Sequence, residues 1–438
     1  MLLLITLFVV SNLFTIPFAN VIISLLTAVV IIMSLLFSKG LSKVSGTAMV
    51  VLGSVILLVL GEPIAVWMDG VTRNLALVCL IIVVPILSIP INLGNYDQKL
   101  AQFASRFTRK PHLLYLFISG AFSVLGPITN LGAIHIIHSM LEKLKLPAEF
   151  LGRVYARSFS SVNTWAPYFA SVFLVVYSLE IPISTFLPYG LLLSFLQLTM
   201  SNLLFTLKEA RTIQLEPTAI ESVEDPKKLY ELFAVILLLT GLIFFLEPIV
   251  NVNKSVLILL IVAAFALVWS IYLKMAKQFK IGATSFIKTI LPRGSNEISL
   301  LLTAGFFGVV ISKTVVATYI NGLWSYLADI SVLLFIFLTI ILVAVLSFIG
   351  IHQIVTISAI IASVSYGQFG IHDITMAMTL LASWAAATMV SPITPLNVII
   401  SNLLKVNIFT LIFRWNLLYA ILIACVHTVA IYIVHVMI

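Results

Sequence analysis

Charge is scarce in this sequence of 438 residues: Asp, Glu, Lys and Arg make up 9% of it, against roughly a quarter in a soluble domain. A chain so poor in charge cannot clothe itself in a water-facing surface. Cysteine is nearly absent too. Cys79 and Cys425 both fall inside apolar runs, where they read as small hydrophobic residues and not as a redox or metal pair. No phosphate-binding glycine loop, His/Cys cluster or nucleophile elbow occurs, which argues against ATP-driven pumping by this chain. Ser161 and Ser391 lack an obvious base, so no catalytic residue is assigned and an enzyme is not expected. Nor does any Asp or Glu fall in the middle of an expected span, whereas cation–proton antiport generally needs a membrane-embedded carboxylate.

Apolar residues fill the space that charge leaves. They make up 61% of the chain, and its mean hydropathy is +1.19. Many runs approach or exceed the ~18 residues that mark a membrane span. They are continuous and do not alternate with period two, so helices and not a barrel are expected. The class is an all-α polytopic membrane protein surrounded by lipid. No Lys or Arg precedes Lys39, so a cleaved signal peptide is not expected.

The net charge of +8 reports orientation. Basic residues gather at Lys39/Lys43, Lys99 to Lys110, Lys143 to Arg157, Lys208 to Lys228, Lys274 to Arg293 and Lys405/Arg414. Placing all of these in the cytoplasm leaves only Arg73, Lys254 and Lys313 outside, which is the positive-inside pattern. A nucleic-acid partner is therefore not expected. The chain reads as multi-pass in the cell (cytoplasmic) membrane, with loop 208–229 cytoplasmic and the C-terminus extracellular.

About eleven transmembrane helices follow from the apolar runs: 2–14, 18–37, 47–66, 74–93, 154–177, 186–207, 232–250, 256–273, 298–311, 375–404 and 411–434. Two further segments, 113–140 and 332–364, bend at Gly126-Pro127 and at Gly350. The first is basic at both ends, so it is expected to enter and leave on one side as a re-entrant hairpin. Charged or amphipathic stretches at 96–110 and 313–328 are expected along the two interfaces. The hydrophilic stretch 208–229 divides the chain into an extra N-terminal segment (1–17), a first repeat (18–207) and a second (230–438). Because the linker is cytoplasmic, the second repeat begins on the opposite side from the first, making the pair inverted.

Two of the spans carry matched interruptions. Ser161-Val162-Asn163-Thr164 breaks 154–177 and Ser391-Pro392-Ile393-Thr394 breaks 375–404, and a serine follows each seven residues on, Ser171 and Ser401. Upstream lie Ser123-x-x-Gly126 and Ser347-x-x-Gly350. Unwound backbone at membrane depth survives only inside protein or along a wet cavity, and two such places in corresponding positions point to a transporter's binding site. Taken singly, each hydroxyl is more simply bonded back to its own helix; the repeated spacing is what groups them.

The expected site gathers Thr129, Asn130, Ser161, Asn163, Thr164, Ser391, Thr394 and Asn397, with His352 and Gln353 at the second hairpin's bend. Half-helix N-termini attract anions, and hydroxyl and carbonyl oxygens suit a hard cation. Thr129, Asn130, Ser391 and Thr394 are the candidate sodium ligands. His352 either carries a proton or is a neutral, hydrogen-bonded ring. Pro127, Pro392 and Pro395 are expected to stop helices, and Arg153 and Arg157 to anchor the inner boundary.

This layout resembles the ion transporter superfamily, most closely the divalent anion:sodium symporters that carry dicarboxylates and citrate. The family's hairpin tips typically read Ser-Asn-Thr. Here the first tip reads Gly126-Pro127-Ile128-Thr129-Asn130 and the second Gly350-Ile351-His352-Gln353, a departure at the second. The resemblance implies two inverted repeats, each with a re-entrant hairpin and a broken helix, an elevator-type mechanism and a homodimer. The expected function is secondary active transport of a small anionic solute, coupled to sodium, with no other cofactor. The alternatives are a metalloid oxyanion or cation efflux carrier, or the membrane subunit of a binding-protein-dependent uptake system.

Overall fold

The computed structural model describes residues 1–94, 96, 104–107, 109–210, 227–287 and 294–438. Most of the expected interfacial stretch 96–110, and residues 211–226 of the expected linker, lie outside the described residues. Among the described residues every regular element is helical.

The first series runs α1 (Leu2–Leu13), α2 (Ala19–Phe37) and α3 (Gly40–Leu60), then α4 (Ile64–Thr72), α5 (Leu75–Val83) and α6 (Ser88–Leu93). A hairpin follows, α7 (Pro111–Thr129) and α8 (Gly132–Leu141), then an interrupted helix, α9 (Ala148–Val162) and α10 (Ala170–Ser178), and α11 (Ile183–Leu204). The second series is α12 (Lys227–Leu246), α13 (Lys254–Tyr272), α14 (Ala276–Ser285), α15 (Ser295–Ser312) and α16 (Val315–Ile330). Its hairpin is α17 (Val332–Phe348) and α18 (Gln353–Ser363), its interrupted helix α19 (Asp373–Val390) and α20 (Pro395–Leu404), and its last helix α21 (Leu417–Met437).

Nine helices among the described residues are long and apolar enough to cross a membrane. The expected eleven differ for local reasons. α1 has only 12 residues, and the apolar part of α12, Tyr230–Leu246, falls just under span length. The segment 148–178 is two separate helices of 15 and 9 residues. In the other direction, hairpin arm α7 is itself 19 residues long and counts among the nine.

Burial is turned inside out, as a lipid solvent requires. α3 exposes Val51, Leu52, Val55, Leu58 and Val59 while burying Gly46, Met49, Gly53 and Leu57. A Cβ on Gly53 would lie 2.7 Å from the Phe306 ring of α15, so the missing side chain is what lets the two helices close up. The interrupted helices occupy the centre. Every residue of α19 from Ile374 to Met389 is buried, as is every residue of α9 from Phe150 to Val162. Shielded from lipid by protein, they can carry polar residues that outer helices exclude: Thr379 and Ser383 donate to the carbonyls of Thr375 and Thr379, four residues back, at 2.7 and 2.6 Å.

Helix contacts come in exchanged pairs. α7 packs on α9 as α17 packs on α19, and α9 packs on α11 as α19 packs on α21. Hairpin arm α8 reaches α20, while arm α18 reaches α10. α3 lies against α15 and α13 against α5. Each hairpin thus braces the first half of its own interrupted helix and crosses to the second half of the other.

Candidate functional site

Four backbone N–H groups and four C=O groups are left free wherever a helix stops, so each interruption must find partners for them inside the protein. In the second, Ser391–Thr394, the partner is Asn397 in the first turn of α20. Its Nδ2 donates to the carbonyls of Thr388, Met389 and Ser391 at 3.0, 3.1 and 2.9 Å. Thr394 Oγ1 donates to the Thr388 and Ser391 carbonyls at 3.2 and 3.1 Å. Ser391 Oγ donates to the Ser347 carbonyl of α17 at 2.7 Å, and Ser347 Oγ to Gln353 Oε1 at 3.1 Å. The second hairpin's bend is therefore stitched to the second break.

The first interruption, residues 163–169, is longer. Ser171 in the first turn of α10 donates to the Asn163 carbonyl at 2.7 Å. Ser161 and Thr164 donate to the Ser158 and Ser161 carbonyls at 2.7 and 2.8 Å. Asn163 makes only long side-chain bonds, from Nδ2 to the Ser160 carbonyl at 3.3 Å and from Ser171 Oγ at 3.5 Å. The first hairpin closes on this break through Gly126, where a Cβ would lie 2.8 Å from Val162 Cγ2. At its bend Asn130 has φ 52° and Thr129 Oγ1 donates to the Leu125 carbonyl at 2.9 Å.

α11 closes the first break from the other side. A Cβ on Gly190 would lie 2.6 Å from the Thr164 carbonyl oxygen, and a backbone atom cannot swing away as a side-chain tip can. Gly190→Ala is expected to lose about 1–3 kcal/mol of stability, seen as a lower melting temperature in detergent. Gly120→Ala, with nothing within 4 Å of its Cβ, is the control and should melt with the wild type.

Two matched features of the sequence take different structural roles. Thr394 is the residue before α20, whereas Thr164 lies in the turn ending α9, six residues ahead of α10. Ser171 caps its break, but Ser401 Oγ donates to the Val406 carbonyl at the far end of α20. Asn397 takes the part of Ser171. Among the prolines, Pro127 lies within α7, two residues before its end, and Pro395 starts α20 at its first position, where a missing N–H costs nothing. Neither stops a helix as expected.

His352 sits just ahead of α18, its Nδ1 accepting from the Ile354 N–H at 3.3 Å. That bond requires an unprotonated Nδ1 and favours the neutral-ring expectation. Gln353 is buried beside it.

Arg153 and Arg157 do not stand free at a surface: Arg157 is wholly buried within the protein. It makes a two-pronged ion pair with Glu209 at 2.8 and 2.9 Å and donates to Asn416 Oδ1 and the Trp415 carbonyl at 3.0 and 2.7 Å. Its guanidinium lies 4.7 Å from the centre of the Tyr419 ring. Arg153 approaches the same carboxylate at 3.4 Å. Glu209 belongs to a π-helical turn, Phe205–Glu209, that prolongs α11 into the expected linker, and Trp415 and Asn416 to another, Thr410–Asn416, ahead of α21. Both wide turns bring their side chains to one arginine. Asn416 and Gln197, which donates to Ser160 Oγ, were legible only as isolated polar residues in apolar runs.

The architecture is that of an all-helical polytopic membrane protein with two hairpins packed on two buried, interrupted helices. No family model and no curated protein matches the chain. Its fold is similar to that of the Alcanivorax borkumensis YdaH transporter, described as having an unusual topology: TM-score 0.58 at 16% identity, over 83% of this chain and 86% of that one. The likeness is one of fold, shared with a transporter.

Proposed function

We propose that this protein is a secondary active transporter of a small anionic solute, working by elevator-type alternating access and coupled to sodium. The observation that carries this reading is the packing of α9 against both α19 and α20, which brings two buried helix interruptions into one bundle core. The exchanged helix contacts support an inverted repeat, with 208–229 cytoplasmic, the C-terminus outside, both hairpins re-entrant and the chain paired as a homodimer. Hairpins and interrupted helices would move together against the remaining helices.

The donor set supports the coupling ion. Thr129, Ser161, Thr164, Ser391 and Thr394 all give their hydroxyl protons to backbone carbonyls. Such a hydroxyl offers lone pairs and no proton, which suits a cation. Thr129, Asn130, Ser391 and Thr394 would supply sodium's oxygens, joined by Asn397 Oδ1, which is buried without a hydrogen-bond partner among the described residues. The anion is left to backbone N–H groups at the starts of α10, α18 and α20, to His352 and Gln353, and to Asn163, whose amide is the least committed.

Uptake into proteoliposomes with and without a sodium gradient, screened over small carboxylates and oxyanions, tests this. Asn163→Ala and Thr394→Ala are expected to remove uptake while leaving expression intact. Wild-type rates in both would refute the site.

A further inference from the structure

The three basic residues that charge placement leaves on the outer face are held in different ways. Lys254 Nζ lies 3.6 Å from Glu247, whose carboxylate also accepts from the N–H groups of Ile183 and Ser184 at 3.0 and 3.2 Å. Its charge is answered. Arg73 meets Asp69 one turn back on α4 at 3.9 Å, with side-chain exposures of 48% and 56%, a geometry in which an ion pair holds little. Lys313 is exposed, and no carboxylate pairs with it among the described residues.

Arg73 and Lys313 line one cavity of about 230 Å³, walled by the end of α4, by Ser312 on α15, by Ser178 on α10 and by Ser358 on α18. Counting Asp69, which also lines it, the cavity keeps an excess of positive charge. Ser358 is 9% exposed, and its Oγ has no hydrogen-bond partner among the described residues. The walls are set by glycines. A Cβ on Gly305 would strike the Asn74 amide at 2.8 Å, and Gly308 lets the Ser358 carbonyl come within 3.5 Å of where its Cβ would be. The volume corresponds to roughly eight waters at ~30 Å³ each, room enough for a small carboxylate or phosphate.

We infer that this cavity binds a small oxyanion between Arg73 and Lys313, with Ser358 as a neutral donor on its wall. It is separate from the interruptions and collects anions by its field. Helices α10 and α18 meet α4 and α15 here, so a bound anion bridges the proposed moving and stationary sets. The bridging and the side of the membrane on which the cavity opens rest on the transport reading; the anion site itself does not.

The test is charge-selective labelling of the reconstituted full-length protein carrying Ser312→Cys and Cys425→Ser. Rates are taken with an anionic (sulfonatoethyl) and a cationic (trimethylammonioethyl) methanethiosulfonate, each normalised to free cysteine. The anionic reagent should react on the order of tenfold faster. Arg73→Gln with Lys313→Gln, both at exposed positions, should erase that preference. Inorganic phosphate and succinate are added in separate arms. Protection by either supports the site and identifies the oxyanion type. Protection by neither, or a rate ratio that the two substitutions leave unchanged, overturns it. Reaction from the linker side alone would sink the proposed orientation, while the rate ratio still decides the site.

Discussion

Glu209→Leu is expected to lower stability by about 3–5 kcal/mol, the usual effect of stranding a buried charge. The reason is Arg157, which has no exposed surface and would keep its charge while losing the carboxylate that meets it at two points. Arg157→Met should be milder, because Arg153 still lies 3.4 Å from Glu209. The double variant should recover much of the loss, since replacing a buried ion pair by apolar groups of similar size is often neutral or better. Thermal unfolding of the purified protein in detergent, run as a double-mutant cycle, reads all three. Additive losses would mean that the pair is not the unit that ties α9 to the π-helical turns before α21 and after α11.

That network also shows where sequence reading stops. The second hairpin's bend was legible because it rests on local chemistry: Gly350 takes a φ of 108°, which favours glycine. The first turns at Asn130, three residues past the expected Pro127, which with Gly126 stays inside α7. The interruptions were legible because polar residues stand out against an apolar background. Arg157 and Glu209, by contrast, are 52 residues apart, and Arg157 and Asn416 are 259 apart. Each alone reads as a residue at the edge of a span. Only the packing of α9 in the bundle core closes these partners around Arg157, and no periodicity encodes that.

The matched spacings were informative about place and misleading about role. Ser161 and Ser391 both fall where a buried helix gives way, as the pairing implied. The first break runs seven residues, 163–169, and the second only four, Ser391–Thr394. Residues at equal sequence offsets therefore land in different turns: Ser171 caps a break, while Ser401 caps the far end of α20. Pro395 accounts for part of this, since its fixed φ starts α20 at once.

Asn397→Leu should show what its amide does for the second interruption. The substitution keeps the γ-branched shape, in a bulkier side chain, and removes a donor shared by three carbonyls. Thr394 still reaches two of them, those of Thr388 and Ser391, so the Met389 carbonyl is the one left without its side-chain donor. A stranded buried acceptor costs about 1–3 kcal/mol, and Asn397→Asp should cost more, because an ionised carboxylate would face the same carbonyl oxygens. Stability alone would not separate a structural cap from a site residue. The second measurement is the melting temperature in sodium chloride against choline chloride, since an ion bound to the folded state alone stabilises it by mass action. The wild type should melt higher in sodium, and Asn397→Leu should lose that difference along with uptake, because Oδ1 leaves together with Nδ2. A variant that melts lower yet keeps the full sodium response would make Asn397 a clasp for the break and no part of the ion's coordination.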